Sequence, residues 1–238
     1  MNIIKHIFQS SLGKKYVMAI SGLCLFGFII GHLVGNLQVF LGPEAINKYG
    51  HFLQSNPELI WPARIGLLIL VALHIWSAIK LEIENRSARP VAYGEYKPVG
   101  SSLASRTMVM SGLIVFCFIV YHLLHYTFKV EPINLTHQNF ASADFQEPIK
   151  GLATETQQDI YKMMVVGFSH PVVSLFYVLG VGLLCLHLSH GASSMFQSLG
   201  WKNKAWAPLL NCGAKAVATL IFLGYISIPA AILFKIIK

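Results

Sequence analysis

The sequence predicts an all-α, polytopic membrane protein built on five transmembrane helices. Three observations carry that prediction. Of 238 residues, 55% are hydrophobic and only 12% are charged, with a mean hydropathy of +0.59; a soluble fold of this length could not hide so much apolar surface. Five apolar runs fall at roughly 17–41, 62–84, 107–129, 168–196 and 209–235, each near or above the ~20 residues that cross ~30 Å of hydrocarbon. The connections are polar or proline-punctuated, and the whole chain, 1–238, reads as a single membrane domain without internal repeats.

In chain order, Met1 to Leu12 carries Ile3, Ile4, Ile7 and Phe8 in an amphipathic pattern that suits the membrane surface. Lys14 and Lys15 then precede an apolar run of full spanning length with no small-residue cleavage site, which argues against a signal peptide. Pro43 and Pro57 punctuate the first connection, Arg89-Pro90 and Lys97-Pro98 the second. The longest loop, Val130 to Gly167, is polar, and its Thr154 to Tyr161 stretch predicts a short surface helix. Span five contains Pro229, which predicts a kink near its end.

With the N-terminus placed in the cytoplasm, eleven Lys/Arg fall inside and seven outside, while three acidic residues fall inside and seven outside. The Lys/Arg bias sets topology, so the N-terminus is expected in and the C-terminus out. The net charge of +8 is then a membrane-orientation signal, and no nucleic-acid partner is expected. Cys24, Cys117, Cys185 and Cys212 are far apart, with no C-x-x-C-H and no close-set metal framework, and read as packing residues.

Four histidines, His32, His74, His122 and His187, sit inside four successive spans. Ionisable groups at membrane depth are costly and face the interior or a partner. At ~1.5 Å per residue, His32 (fourteen residues past Met18) and His122 (fifteen past Thr107) lie roughly 21–22 Å from the inner face. His74 (twelve past Pro62) and His187 (fifteen past Val172) lie roughly 18–22 Å from the outer face. Two tiers result: His32/His122 nearer the outside and His74/His187 nearer the inside, on the order of 10 Å apart. Imidazole is a standard axial ligand for haem iron, and two imidazoles give a six-coordinate centre that carries electrons. Gly27, Gly31 and Gly35 on one face of span one, and Gly180 and Gly182 in span four, make room for a macrocycle or simply allow close helix packing.

The chain resembles the membrane cytochrome b subunit of succinate dehydrogenases and fumarate reductases, in its single-polypeptide, five-helix, two-haem form. The resemblance covers essentially the whole chain. It rests on Ser10-Ser11-Leu12-Gly13-Lys14-Lys15, Gly31-His32-Leu33-Val34-Gly35-Asn36, Pro57-Glu58-Leu59-Ile60-Trp61 with Arg64, and Leu73-His74-Ile75. Further on it rests on Arg106, Ser111-Gly112, Tyr121-His122, His187-Leu188-Ser189-His190-Gly191 and Leu199-Gly200-Trp201. It implies two b haems on the four histidines, a flavoprotein partner that interconverts succinate and fumarate, and an iron–sulfur partner docked on the cytoplasmic side. It also implies quinone (menaquinone or ubiquinone) chemistry near the outer haem and residence in a bacterial cytoplasmic membrane. The family spacing places the fourth ligand twelve residues before Leu199, which selects His187 over His190.

Other residues keep two readings. His125 lies roughly 4–5 Å further out than His122; it meets a propionate or quinone, or is a polar interfacial residue. His190 pairs with a propionate or helps dock the iron–sulfur partner. Arg64 and Arg106 bond propionates or snorkel to the interface. Glu58 exchanges protons with quinone or is a surface acid, and His51 and His170 share that ambiguity. Some fumarate reductases of this type carry a glutamate two residues before the fourth ligand, tied to proton movement; here Cys185 stands there, so that route is not expected. The rivals are a quinone-linked cytochrome b anchor of hydrogenase, formate dehydrogenase or nitrate reductase type, and a histidine-relay transporter, which should carry intramembrane acids.

Overall fold

A computed structural model describes residues 7–88, 103–149 and 155–238. Helix α1 (Ser11–Leu37) runs into a 3-10 turn, Gln38–Leu41. Helices α2 (Pro43–Gln54), α3 (Pro57–Ser87), α4 (Leu103–Arg106) and α5 (Met108–His122) follow, the last continued by a π turn, Leu123–Thr127. After the long connection come α6 (Ile160–Ser169), α7 (Pro171–Ser198) and α8 (Ala207–Leu233). Five segments are long and apolar enough to cross a membrane: Ser11–Leu41, Pro57–Ser87, Met108–Thr127, Pro171–Ser198 and Ala207–Leu233. Leu68, Leu113, Leu179 and Leu220 on four of them are each more than half exposed. Such faces are costly in water and natural against lipid.

Helix ends depart from the sequence reading for local reasons. Helix α1 begins six residues before the expected 17, because the Ser10 hydroxyl accepts from Gly13 N–H (3.0 Å) as an N-cap. Lys14 is thereby drawn into the fold. It is 4% exposed, ion-paired with Glu84, and donates to the Gln9 carbonyl. Helix α3 starts at Pro57 with Glu58 in its first turn, a favourable place for a carboxylate. Pro62, the expected start, lies inside the helix. Pro171 divides the expected fourth span: His170 before it is extended (φ −81, ψ 116), as a residue preceding proline prefers, and α6 stops there. Helix α8 continues through Pro229 and ends four residues later.

The chain divides into two compact units. One takes its residues from Met1–Ile29, Pro62–Met110 and Leu186–Ala218; the other from Ile30–Trp61, Ser111–Cys185 and Thr219–Lys238. In the second unit the long connection is not the polar loop expected. Phe140, Phe145 and Met163 form a buried cluster, packed by Tyr126, Ile160 and Val166. The surface helix expected over Thr154–Tyr161 is replaced by strand β2 (Thr156–Gln158), antiparallel to β1 (Gln146–Pro148) with Gln146 opposite Gln158. Gln158 is buried and its amide donates to the Phe140 and Phe145 carbonyls (3.1 and 2.9 Å), bonds that favour the strand. Asp159 then caps α6 by accepting from Lys162 N–H (2.9 Å). Asn47 of α2 donates to that carboxylate (3.0 Å) and accepts from Tyr161 N–H (2.9 Å). This pair of strands is the one departure from all-α among the described residues. Residues 1–6, Arg89-Pro90, Lys97-Pro98, Glu95, Lys150 and Thr154 lie outside the described residues.

Candidate haem-ligand pairs

Each unit holds one pair of facing imidazoles. In the first, His74 of α3 meets His187 of α7 with ring centroids 6.4 Å apart and planes 68° apart. In the second, His32 of α1 meets His122 of α5 at 5.7 Å and 78°. A ligating imidazole nitrogen about 2 Å from iron on each side, plus about 1.1 Å from nitrogen to ring centre, separates the centroids by about 6.2 Å. Both pairs fall within about half an ångström of that spacing. Two imidazoles are too few for a bare ion. Among the described residues no cluster of three or more His, Cys, Asp or Glu converges on a metal position. The pairs suit an iron whose other four bonds come from a macrocycle.

The donor chemistry also fits. His74 Nδ1 lies 3.2 Å from the Met18 carbonyl and 3.3 Å from Ser21 Oγ. A carbonyl only accepts, so Nδ1 carries the proton and Nε2 keeps its lone pair for a metal. Ser21 directs its own proton to the Val17 carbonyl (2.7 Å), which leaves its oxygen as a second acceptor for His74. Gly22 lies one turn from Met18 on α1. A Cβ there would sit 3.2 Å from His74 Cε1, so glycine is what lets the ring approach. Ser77 Oγ, fully buried, bonds the His74 carbonyl (2.9 Å) and steadies the backbone. In the other pair, His122 Nδ1 lies 3.3 Å from the Tyr177 hydroxyl, and Phe118 packs beside the ring. Asn36 donates to the His32 carbonyl (2.7 Å), and Tyr225 lies near the His32 ring.

The remaining site residues fall as follows. His125 is fully buried, which corrects the reading of it as an interfacial polar residue. The folded connection brings Phe140 over it, Tyr126 stacks on it at 4.0 Å, and its Nδ1 lies 3.0 Å from Tyr177 Oη. Its Nε2, the Tyr126 hydroxyl and His170 Nδ1 are buried with no hydrogen-bond partner among the described residues. His190 is half-buried and bonds Ser194 (3.0 Å). Glu58, Arg64 and Arg106 are exposed on their helices. Of the glycines, Gly27 and Gly31 face open space, whereas Gly35 packs on Tyr49 and Gly180 on Phe118. Cys185 is buried, but Cys24, Cys117 and Cys212 are exposed, so only the first reads as packed.

Ser21, the Met18 carbonyl, Tyr177 and the π turn were not found by sequence reasoning. Ser21 and Met18 are more than fifty residues from His74, and no spacing signal links them. Comparison with protein-family models, curated proteins and solved structures gives no match.

Proposed function

We propose that this chain is the dihaem cytochrome b anchor of a succinate:quinone oxidoreductase, in a bacterial cytoplasmic membrane. The observation that carries the proposal is the two pairs of facing imidazoles, one residue from each of four helices, at 6.4 and 5.7 Å. Haem b, when bound by these histidines, would supply one-electron redox chemistry between an iron–sulfur partner and membrane quinone. The chain's own residues do the rest. His74 and His187 hold the inner position, and His32 and His122 the outer. Met18 and Ser21 fix the His74 tautomer and raise its basicity. Arg64, Arg106 and His190 are assigned to propionates, and Glu58, at the outer start of α3, to proton exchange with quinone. Neither succinate nor fumarate is handled here; that chemistry belongs to the flavoprotein partner.

The test is a dithionite-reduced minus oxidised spectrum of the purified full chain, with haem counted by pyridine haemochrome. About two b haems per chain are expected, with His74→Ala and His122→Ala each removing one. A colourless preparation from haem-replete cells refutes the proposal and favours the histidine-relay transporter.

A further inference from the structure

Tyr177, on α7, is buried in an aromatic cluster with Phe118, Tyr121, Tyr126 and Phe168. Its hydroxyl touches two imidazoles, His122 Nδ1 at 3.3 Å and His125 Nδ1 at 3.0 Å. A phenol has one proton and two lone pairs. It can donate to one ring and must accept from the other. If His122 gives Nε2 to iron, its ring proton is on Nδ1 and points at the phenol oxygen. The phenol proton is then left for His125 Nδ1, and His125 carries its own proton on Nε2, the buried nitrogen that has no partner among the described residues. One direction follows: His122 Nδ1–H to Tyr177 Oη, and Tyr177 O–H to His125 Nδ1. A hydroxyl that donates is a stronger acceptor, so His125 increases the pull on the His122 proton.

His125 is held for that task. It sits in the π turn that follows His122, fully buried in a cluster with Tyr126 and Phe140. An α-helical continuation would turn residue 125 by about 300° from residue 122; the wider π turn rotates it less per residue. Such insertions recur at functional sites.

We propose that Tyr177, oriented by His125, is a positioning residue for the haem ligand His122, accepting its Nδ1 proton, holding the ring in place and raising the ligand's basicity. The proposal rests on the haem reading above. A more basic ligand favours the oxidised iron, so loss of the hydroxyl raises that haem's midpoint.

The experiment uses the purified, haem-loaded full chain. The haem in question is the one that His122→Ala removes. In Tyr177→Phe, two haems per chain are expected to remain. The reduced-to-oxidised ratio of that haem at fixed potential rises about tenfold, which is about 59 mV for one electron. Its low-spin electron paramagnetic resonance signal shifts, and the other haem stays put. His125→Phe keeps the stacking and moves the same haem in the same direction by less. Two haems with an unmoved midpoint and signal in Tyr177→Phe overturn the proposal while leaving the haem reading intact. Should Tyr177→Phe not accumulate, His125→Phe decides: a shift confined to that haem supports the proposal, and an unmoved midpoint overturns it. A wild-type chain without haem overturns the haem reading itself.

Discussion

Gly22→Ala is a minimal perturbation of the His74 site, and its effect can be worked from distances. The added Cβ lies 3.2 Å from His74 Cε1 and 3.5 Å from Nδ1. Non-bonded carbons rest at about 3.5–4.0 Å, so the ring retreats by about 0.3 Å or more. Met18, Ser21 and Gly22 share one face of α1, at i, i+3 and i+4. Retreat therefore carries Nδ1 away from both of its acceptors. The bonds there are 3.2 and 3.3 Å, already long; lengthened to about 3.5 Å they count for little. A neutral hydrogen bond contributes about 0.5–1.5 kcal/mol. The two acceptors share one Nδ1 proton and count as about one bond; if the His74 pair holds haem and all of that bond favours the oxidised iron, its loss raises the midpoint there by about 20–65 mV. Potentiometric titration of the visible band in the full chain reads this directly. Two haems per chain are expected, one midpoint raised, and that one the haem lost in His74→Ala. Gly22→Val brings two further methyl groups against the ring and is expected to lose this haem. If Gly22→Ala moves neither midpoint, or moves the haem that His122→Ala removes, the reasoning fails.

Ser21→Ala removes one of the two acceptors and leaves the Met18 carbonyl, so the same haem should shift by no more than half as much and stay bound, read by the same titration. Gly180→Ala sets a Cβ 2.3 Å from Phe118 Cδ2, and Phe118 packs on both His122 and Tyr177. Overpacking of about 1–3 kcal/mol should lower the melting temperature of the haem absorbance and favour loss at the His32/His122 pair. Asn47→Ala strips bonds from Asp159 and Tyr161 N–H at a fully buried position. A cost of about 1–3 kcal/mol should speed limited proteolysis within 130–167, with both midpoints unchanged.

The pairing of the four histidines was legible because position along a helix is linear in residue number, and a helix has one rise. Which two rings meet followed from that rule and the alternating direction of the spans. What sets each ring's proton was not legible. The partners of His74 lie on α1, fifty-three and fifty-six residues away, and the phenol that bonds His122 and His125 is fifty-five and fifty-two residues on. Helix starts were misread where a cap or an early proline lay outside the apolar run, as at Ser10 and Pro57. The full burial of His125 was not legible, because depth along a helix does not say what covers a residue. The connection that folds back over it carries Phe140 and Phe145, two aromatic residues in a stretch whose average is polar. Averaged hydropathy does not report two buried rings.

The two pairs differ in the chemistry behind the ligand. His74 leans on a backbone carbonyl, an acceptor that no side-chain substitution deletes, with Ser21 as a supplement. His122 leans on a side-chain hydroxyl that a single atom change removes. A carbonyl can only accept, so the His74 tautomer is set by the backbone and does not depend on its surroundings. A phenol can give or take, so the His122 tautomer depends on where Tyr177 sends its proton, and thus on His125. If both pairs hold haem, the His74 potential is fixed by the fold to a greater degree, and the His122 potential is the one that neighbouring side chains can adjust. Loss of the Tyr177 hydroxyl should accordingly remove the whole support of His122, whereas loss of the Ser21 hydroxyl leaves the Met18 carbonyl in place, and only a change that displaces the His74 ring, such as Gly22→Ala, reaches both of its bonds.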